Sequence, residues 1–131
     1  MKIVYESDHV SIYIGEENNW QYVDWKGIQN FETVKAGCLE MLRIAKHHSL
    51  SKVLNDNRQV TSSWSDAADW GGRIWVPAMA EAGVKYFAWV YSPVVYSQLS
   101  TNLFLAYAEK GPEIQTLNNL EEAKKWLSEH N

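Results

Sequence analysis

The chain has 131 residues, a net charge of −4, 46% hydrophobic residues and 21% charged ones. This is one globular domain, 1–131, long enough to bury a core without disulfides or structural metals. The acid excess, with no basic run longer than Lys124-Lys125, excludes a nucleic-acid binder that tracks the phosphate backbone.

Three strands come first. KIVYE (2–6) precedes a Ser-Asp turn signal, VSIYI (10–14) alternates with Val10, Ile12 and Ile14 on one face, and WQYVDWKG (20–27) follows the turn GEENN. Short connections between them imply an antiparallel meander. The period then changes. Phe31, Val34, Cys38, Met41 or Leu42, and Ala45 recur at helical spacing over 31–49, behind Asn30 as N-cap. KVLND (52–56) is a short strand. Ser63 and Asp66 have the spacing of a capping box, and Ala67, Trp70, Ile74, Ala78 and Ala82 mark a second helix ending at Gly83. Gly71, Gly72 and Pro77 predict a kink or break within it.

VKYFAWVYS (84–92) is apolar on both faces, as in a sheet interior. Ser92-Pro93 opens a third helix with Leu99, Leu103 and Ala106 or Tyr107 on its inner stripe. EIQTL (113–117) is a weaker strand, and Asn119 with Glu122 caps a final helix facing inward through Leu120, Ala123 and Leu127. Alternation of strand and helix after the meander specifies a mostly parallel sheet.

The start MKIVYESDHV reaches Glu6 and Asp8 before an apolar region forms, so no signal peptide is expected. No apolar run is long enough to span a bilayer. The single cysteine, Cys38, sits at an apolar helical position, as expected of a reduced thiol in the cytoplasm.

Ligands of parallel sheets sit at the carboxyl ends of the strands. Here that address holds Asn55-Asp56-Asn57-Arg58 and Ser92-Pro93. Asp56 is a candidate base or anion-site organiser, or a turn former bonding its own backbone. Arg58 offers a fork for a carboxylate or phosphate, or a surface ion pair with Asp56 or Asp66. The four histidines (His9, His47, His48, His130) supply neither a triad nor an i, i+4 metal pair, and no phosphate-binding loop or metalloprotease motif is present. No metal, cofactor or catalytic residue is therefore expected. The seven tryptophans and seven tyrosines suit either core packing or an apolar pocket.

"LNDNRQV", "ADWGGRIWVPAMAEAGVKYFAWVYS" and "EIQTLNNLEEAKKWL" together resemble the bacterial SpoIIAA-like proteins, relatives of the STAS domains of sulphate transporters and anti-sigma factor antagonists. Fold features are also shared with lipid-transfer domains of the CRAL-TRIO type. The resemblance runs from Trp25 onward and rests on a strand ending in Asp56, a Trp-rich helix running to Pro77, "AGVK" before an apolar strand, and a closing "EEAKKWL" helix. It implies an α/β fold, a STAS-like β-α superhelix with helices largely on one side of the sheet. In anti-sigma antagonists a D-S-S-G segment carries a phosphorylated serine. Here the stretch reads "TSSWSD", so Ser62 and Ser63 are the corresponding candidate phosphosites, with Thr61 in place of the Asp and Trp64 in place of the Gly.

The expected function is a non-enzymatic cytoplasmic binding or regulatory domain acting through protein partners. The alternative is a carrier of a small apolar ligand or lipid, held in a cleft between the kinked helix and the one after Ser92 by Asp56, Arg58, Trp64, Trp75, Ser92, Tyr96 and Ser97. Aromatics on both faces of the meander (Tyr13, Trp20, Tyr22, Trp25) make a homodimer a third expectation.

Overall fold

The structure, a computed structural model, describes residues 1–15 and 18–130. A six-stranded sheet with strands in chain order runs through it: β1 (Lys2–Glu6), β2 (Val10–Gly15), β3 (Trp20–Gly27), β4 (Lys52–Val60), β5 (Tyr86–Val90) and β6 (Glu113–Leu117). The first three pair antiparallel and the rest parallel, as the change of period predicts. Glu16 and Glu17 of the expected β2–β3 turn lie outside the described residues.

The parallel strands need crossovers, and helices supply them. α1 (Phe31–His48) starts at Asn30, whose side chain accepts from the Thr33 amide while Thr33 Oγ1 accepts from the Asn30 amide. Its stripe of Val34, Cys38, Met41, Ile44 and Ala45 buries against Val10, Ile12, Val23, Trp25 and Val53. The β4–β5 crossover is a one-turn 3-10 segment (Ser65–Ala67), α2 (Ala68–Trp70), a π segment (Gly71–Trp75) and α3 (Val76–Glu81). α4 (Val95–Tyr107) joins β5 to β6, and α5 (Leu120–Ser128) closes the chain.

The core has two unequal halves. α1, the β4–β5 crossover and α4 share one face of the sheet, with Phe87 and Trp89 of β5 beneath them. Only α5 covers the other face, where Ala123 and Leu127 meet Trp20, Leu54, Ala88 and Val90. β5 is thus buried from both sides, as its two-faced apolar sequence predicts.

Three sequence expectations are corrected. β4 runs to Val60 rather than stopping at Asp56, because Gln59 and Val60 pair onward with Lys26 and Gly27 past a bulge in β4 itself, between Asp56 and Gln59. The crossover buries Gly71, Gly72, Trp75, Val76 and Met79 and exposes Ile74, since the wider π turn advances the buried stripe in steps of four. α4 turns the expected inner leucines outward: Ser97, Ser100, Thr101 and Phe104 are buried and Leu105 is partly buried against the core, whereas Leu99 and Leu103 are exposed.

Candidate functional site

β4 outruns its neighbour. β5 ends at Val90 opposite Asp56, and the last four residues of β4 continue alone on that side. The step leaves an open groove of about 290 Å³ at the carboxyl ends of the parallel strands, lined by Arg58, Tyr91, Ser92, Pro93, Gln98 and Asn118. Ser92 ties it together, donating to the Val60 carbonyl (2.7 Å) and accepting from the Val94 amide (3.0 Å) at the start of α4.

Beside the groove, on the face α5 leaves bare, lies a charged cluster. Asp56 is almost fully buried and accepts from Tyr22 Oη (2.6 Å), the Arg58 amide (3.0 Å), and Arg58 Nε and Nη2 (2.9 Å at the shortest). Burial pushes the Asp56 carboxyl up, but the hydrogen bonds from Arg58 and Tyr22 outweigh it and hold it below the usual carboxylate range. Asp24, its neighbour in register on β3, is pushed up by burial and then by the Asp56 charge, against a bond from Gln59. Burial and the same carboxylate raise the Tyr22 phenol. The two readings of Asp56 and Arg58 thus coexist: Asp56 bonds its own backbone, and Arg58 is its ion pair. A carboxylate so enclosed organises Arg58; it is a poor proton acceptor for a substrate.

On the opposite, helix-covered face a cavity of about 20 Å³ lies among Trp25, Trp64, Trp75, Phe87, Trp89 and Phe104, with Asn55, Asn57 and Gln29 in its wall. The rings interlock: Trp64 stacks on Trp89 (6.0 Å, 7°), and Phe104 stands edge-on to Trp64, Trp75 and Trp89. Asn55 accepts from Trp25 Nε1 (2.8 Å), and Trp75 Nε1 donates to the Cys38 carbonyl (2.7 Å). Trp89 Nε1 is buried without a hydrogen-bond partner among the described residues. This volume is the size of a single water molecule, well below the 300–1,000 Å³ or so of a ligand pocket.

The residues expected to share one cleft therefore divide. Arg58 and Ser92 share the groove, with Asp56 buried behind Arg58. Trp64 and Trp75, which fall off the α-helical stripe in sequence, are deep in the core. Ser97 is buried beneath Trp64 and accepts from its Nε1 (3.3 Å), whereas Tyr96 is 70% exposed on the outside of α4.

The capping box does not form. Asp66 turns away and accepts from the Phe31 amide at the start of α1, and the 3-10 segment Ser65–Ala67 has Trp64 at its N-cap position with no side-chain cap. Ser63 instead lies within hydrogen-bond distance of Ser65 and Ser100. Ser62 accepts from the Gln29 amide and donates to the Gln29 carbonyl, pinning the loop after β4 to the one after β3.

What sequence reasoning misses is the hub on α4. Ser100 Oγ accepts from the buried Trp64 amide (2.9 Å) and lies 2.8 Å from Ser65 Oγ. These bonds draw the serine side of α4 inward and turn Val95, Tyr96, Leu99 and Leu103 to the surface. The available signal is that VYSQLSTNLFLAY contains no charged residue, although a solvent-facing helix surface normally carries several. No group of three metal-ligating side chains forms among the described residues, and no described helix is long and apolar enough to cross a membrane. No protein-family model matches the chain, and neither a curated protein nor a solved structure is significantly similar to it.

Proposed function

We propose that this protein is a non-enzymatic binding domain of the SpoIIAA-like kind, working in the cytoplasm through a protein partner that docks on the outer face of α4 beside the Arg58 groove. One observation carries the reading: α4 is inverted, burying Ser97, Ser100 and Thr101 while exposing Val95, Tyr96, Leu99 and Leu103. A helix whose only task was to cover a sheet would gain more by burying the leucines. Contiguous exposed apolar side chains mark interaction surfaces. The absence of Lys and Arg from α4 speaks against a lipid surface, which basic interfacial helices favour.

A photo-activated cross-linking residue at position 99, in cells that make the protein, tests this against the same probe at Lys124 on α5. Adducts to protein from position 99 alone are expected. Equal labelling from both positions, or none, would reject the α4 face.

A second reading, a carrier of a small apolar ligand, draws on the aromatic wall of the internal cavity and on Trp64 and Trp75 within it. Its volume suits a water-sized occupant.

A further inference from the structure

The face of α4 that stands open is self-complementary, and we propose that its occupant is the α4 of a second copy of this chain, packed antiparallel across a two-fold axis. This rests on the docking reading above and names the partner.

Three features of α4 carry it. First, Val95, Leu99, Asn102 and Ala106 recur at spacings of four, three and four, the seam of helix-on-helix packing, with Tyr96 and Leu103 flanking it. All of them are solvent-facing: Val95 63%, Tyr96 70%, Leu99 55% and Leu103 41% exposed, with Asn102 and Ala106 exposed as well. An axis near residues 100–101 sets Leu99 of one copy against Leu103 of the second, and Val95 against Ala106. The one polar member, Asn102, already has its Oδ1 engaged by Tyr91 Oη (2.6 Å) at the rim.

Second, charge. Two copies of a chain carrying −4 repel each other, so a self-interface belongs where like charges do not meet. α1 has Glu32, Glu40 and Arg43 on its surface, α2 has Asp69, α3 has Glu81, and α5 has Glu121 and Glu122; α4 has no charged residue. Unlike partners are usually selected by charge pairing at the interface, and this face offers none. A second copy matches it without such pairing, and antiparallel helices also set opposite dipole ends together.

Third, area. The four exposed apolar side chains amount to on the order of 400 Å² on each copy, the size of the largest apolar patch on a typical monomer, which is often functional. With the polar rim, two copies would bury on the order of 1,000 Å², the lower limit of specific interfaces. A dimer of that size belongs to the weak, transient class that forms and dissociates with concentration.

Sedimentation velocity of the purified full chain, from about 5 to about 500 µM, reads this directly. The mass is expected to climb from one chain toward two, with Leu99→Glu and Leu103→Lys monomeric at every concentration and Lys124→Glu indistinguishable from the parent. Equal far-ultraviolet circular dichroism melts for all four proteins would show that the monomers are folded. Mild oxidation of a mixture of Leu99→Cys and Leu103→Cys is expected to trap the mixed disulfide in preference to either self-pair, which fixes the antiparallel register. A single-chain mass throughout, or a dimer indifferent to Leu99→Glu, would overturn the second copy. If the monomer stays single while position 99 cross-links a different protein in cells, the docking face stands and only self-association is rejected. No cross-link at position 99 together with a monomer rejects both.

Discussion

Asp56 is buried, yet it is charged and faces a second carboxylate, so its stability depends on Arg58 and Tyr22. Removing one partner of a buried pair leaves an uncompensated charge. Arg58 is itself half-exposed, and solvent on its outer side screens part of the loss, so Arg58→Ala should destabilise the domain by about 2 kcal/mol in urea unfolding. A role confined to ligand binding would have left stability untouched. The two carboxylates respond to pH with opposite signs. Asp56 has a lowered folded value, so its stabilising contribution is full above the ordinary carboxylate range near 4 and is lost as pH falls through the folded value. Asp24 has a raised one: its charge opposes folding at neutral pH, and stability rises as pH falls through that value. Asp24→Asn should therefore raise the melting temperature at pH 7, by about 1–2 °C after solvent screening, and leave it unchanged at pH 3. A lower melting temperature at pH 7 would show that the bonds from Gln59 outweigh the repulsion from Asp56.

At the level of elements, order and type were legible in the sequence, because each strand and cap is specified locally: Asn30 and Asn119 cap as their side chains predict, and β5 reads as two-sided because both faces are apolar. The orientation of two helical pieces was not. In the β4–β5 crossover, Ala67, Gly71, Trp75 and Met79 are buried at steps of four, a period produced by the π segment and invisible to an assumed 3.6. The segment is held by close approach: a Cβ on Gly71 would come within 1.9 Å of Phe104 and one on Gly72 within 2.6 Å of Tyr107 Cβ. Gly71→Ala, worth about 1 kcal/mol in favour of an ordinary helix, should here destabilise by roughly 2 kcal/mol, because Phe104 is wedged among three tryptophans and cannot yield. In α4, hydropathy points the leucines inward, but the amide and indole N–H of Trp64 need acceptors, and Ser100 and Ser97 supply them. Ser100→Ala strands the buried Trp64 amide and should lose about 1–2 kcal/mol in thermal or urea melts. Ser63→Ala, which caps nothing, should stay within about 0.5 kcal/mol of the parent. A reversed order of those two losses would restore Ser63 as the cap.

For the whole molecule, three helical elements (α1, the β4–β5 crossover and α4) pack on one face of the sheet and only the short α5 packs on the other, so the bulk of the aromatic side chains fill a single core. That distribution decides between the two functional readings in a measurable way. Trp25, Trp64, Trp75 and Trp89 surround the internal cavity, so any occupant larger than water would displace at least one indole and change its emission. The cavity offers about 20 Å³, and enlarging it means moving rings that are already in contact with one another. Nor can the walls part easily: Trp75 is tied to the Cys38 carbonyl of α1, Trp25 to Asn55 of β4, and Trp64 to Ser97 of α4, so opening the site breaks bonds to three separate elements. Titration with fatty acids and lysolipids, kept below their micellar concentrations, should therefore leave the intrinsic tryptophan emission of the parent protein unchanged. Trp64→Ala removes one wall and creates a cavity at a cost of about 3–5 kcal/mol. If that variant still folds, it should acquire affinity for a small apolar probe such as benzene or indole, as engineered apolar cavities do. A saturable emission change in the parent with one lipid per chain would instead favour the carrier over the α4 docking domain, and would require the core to open far beyond the volume it has at rest.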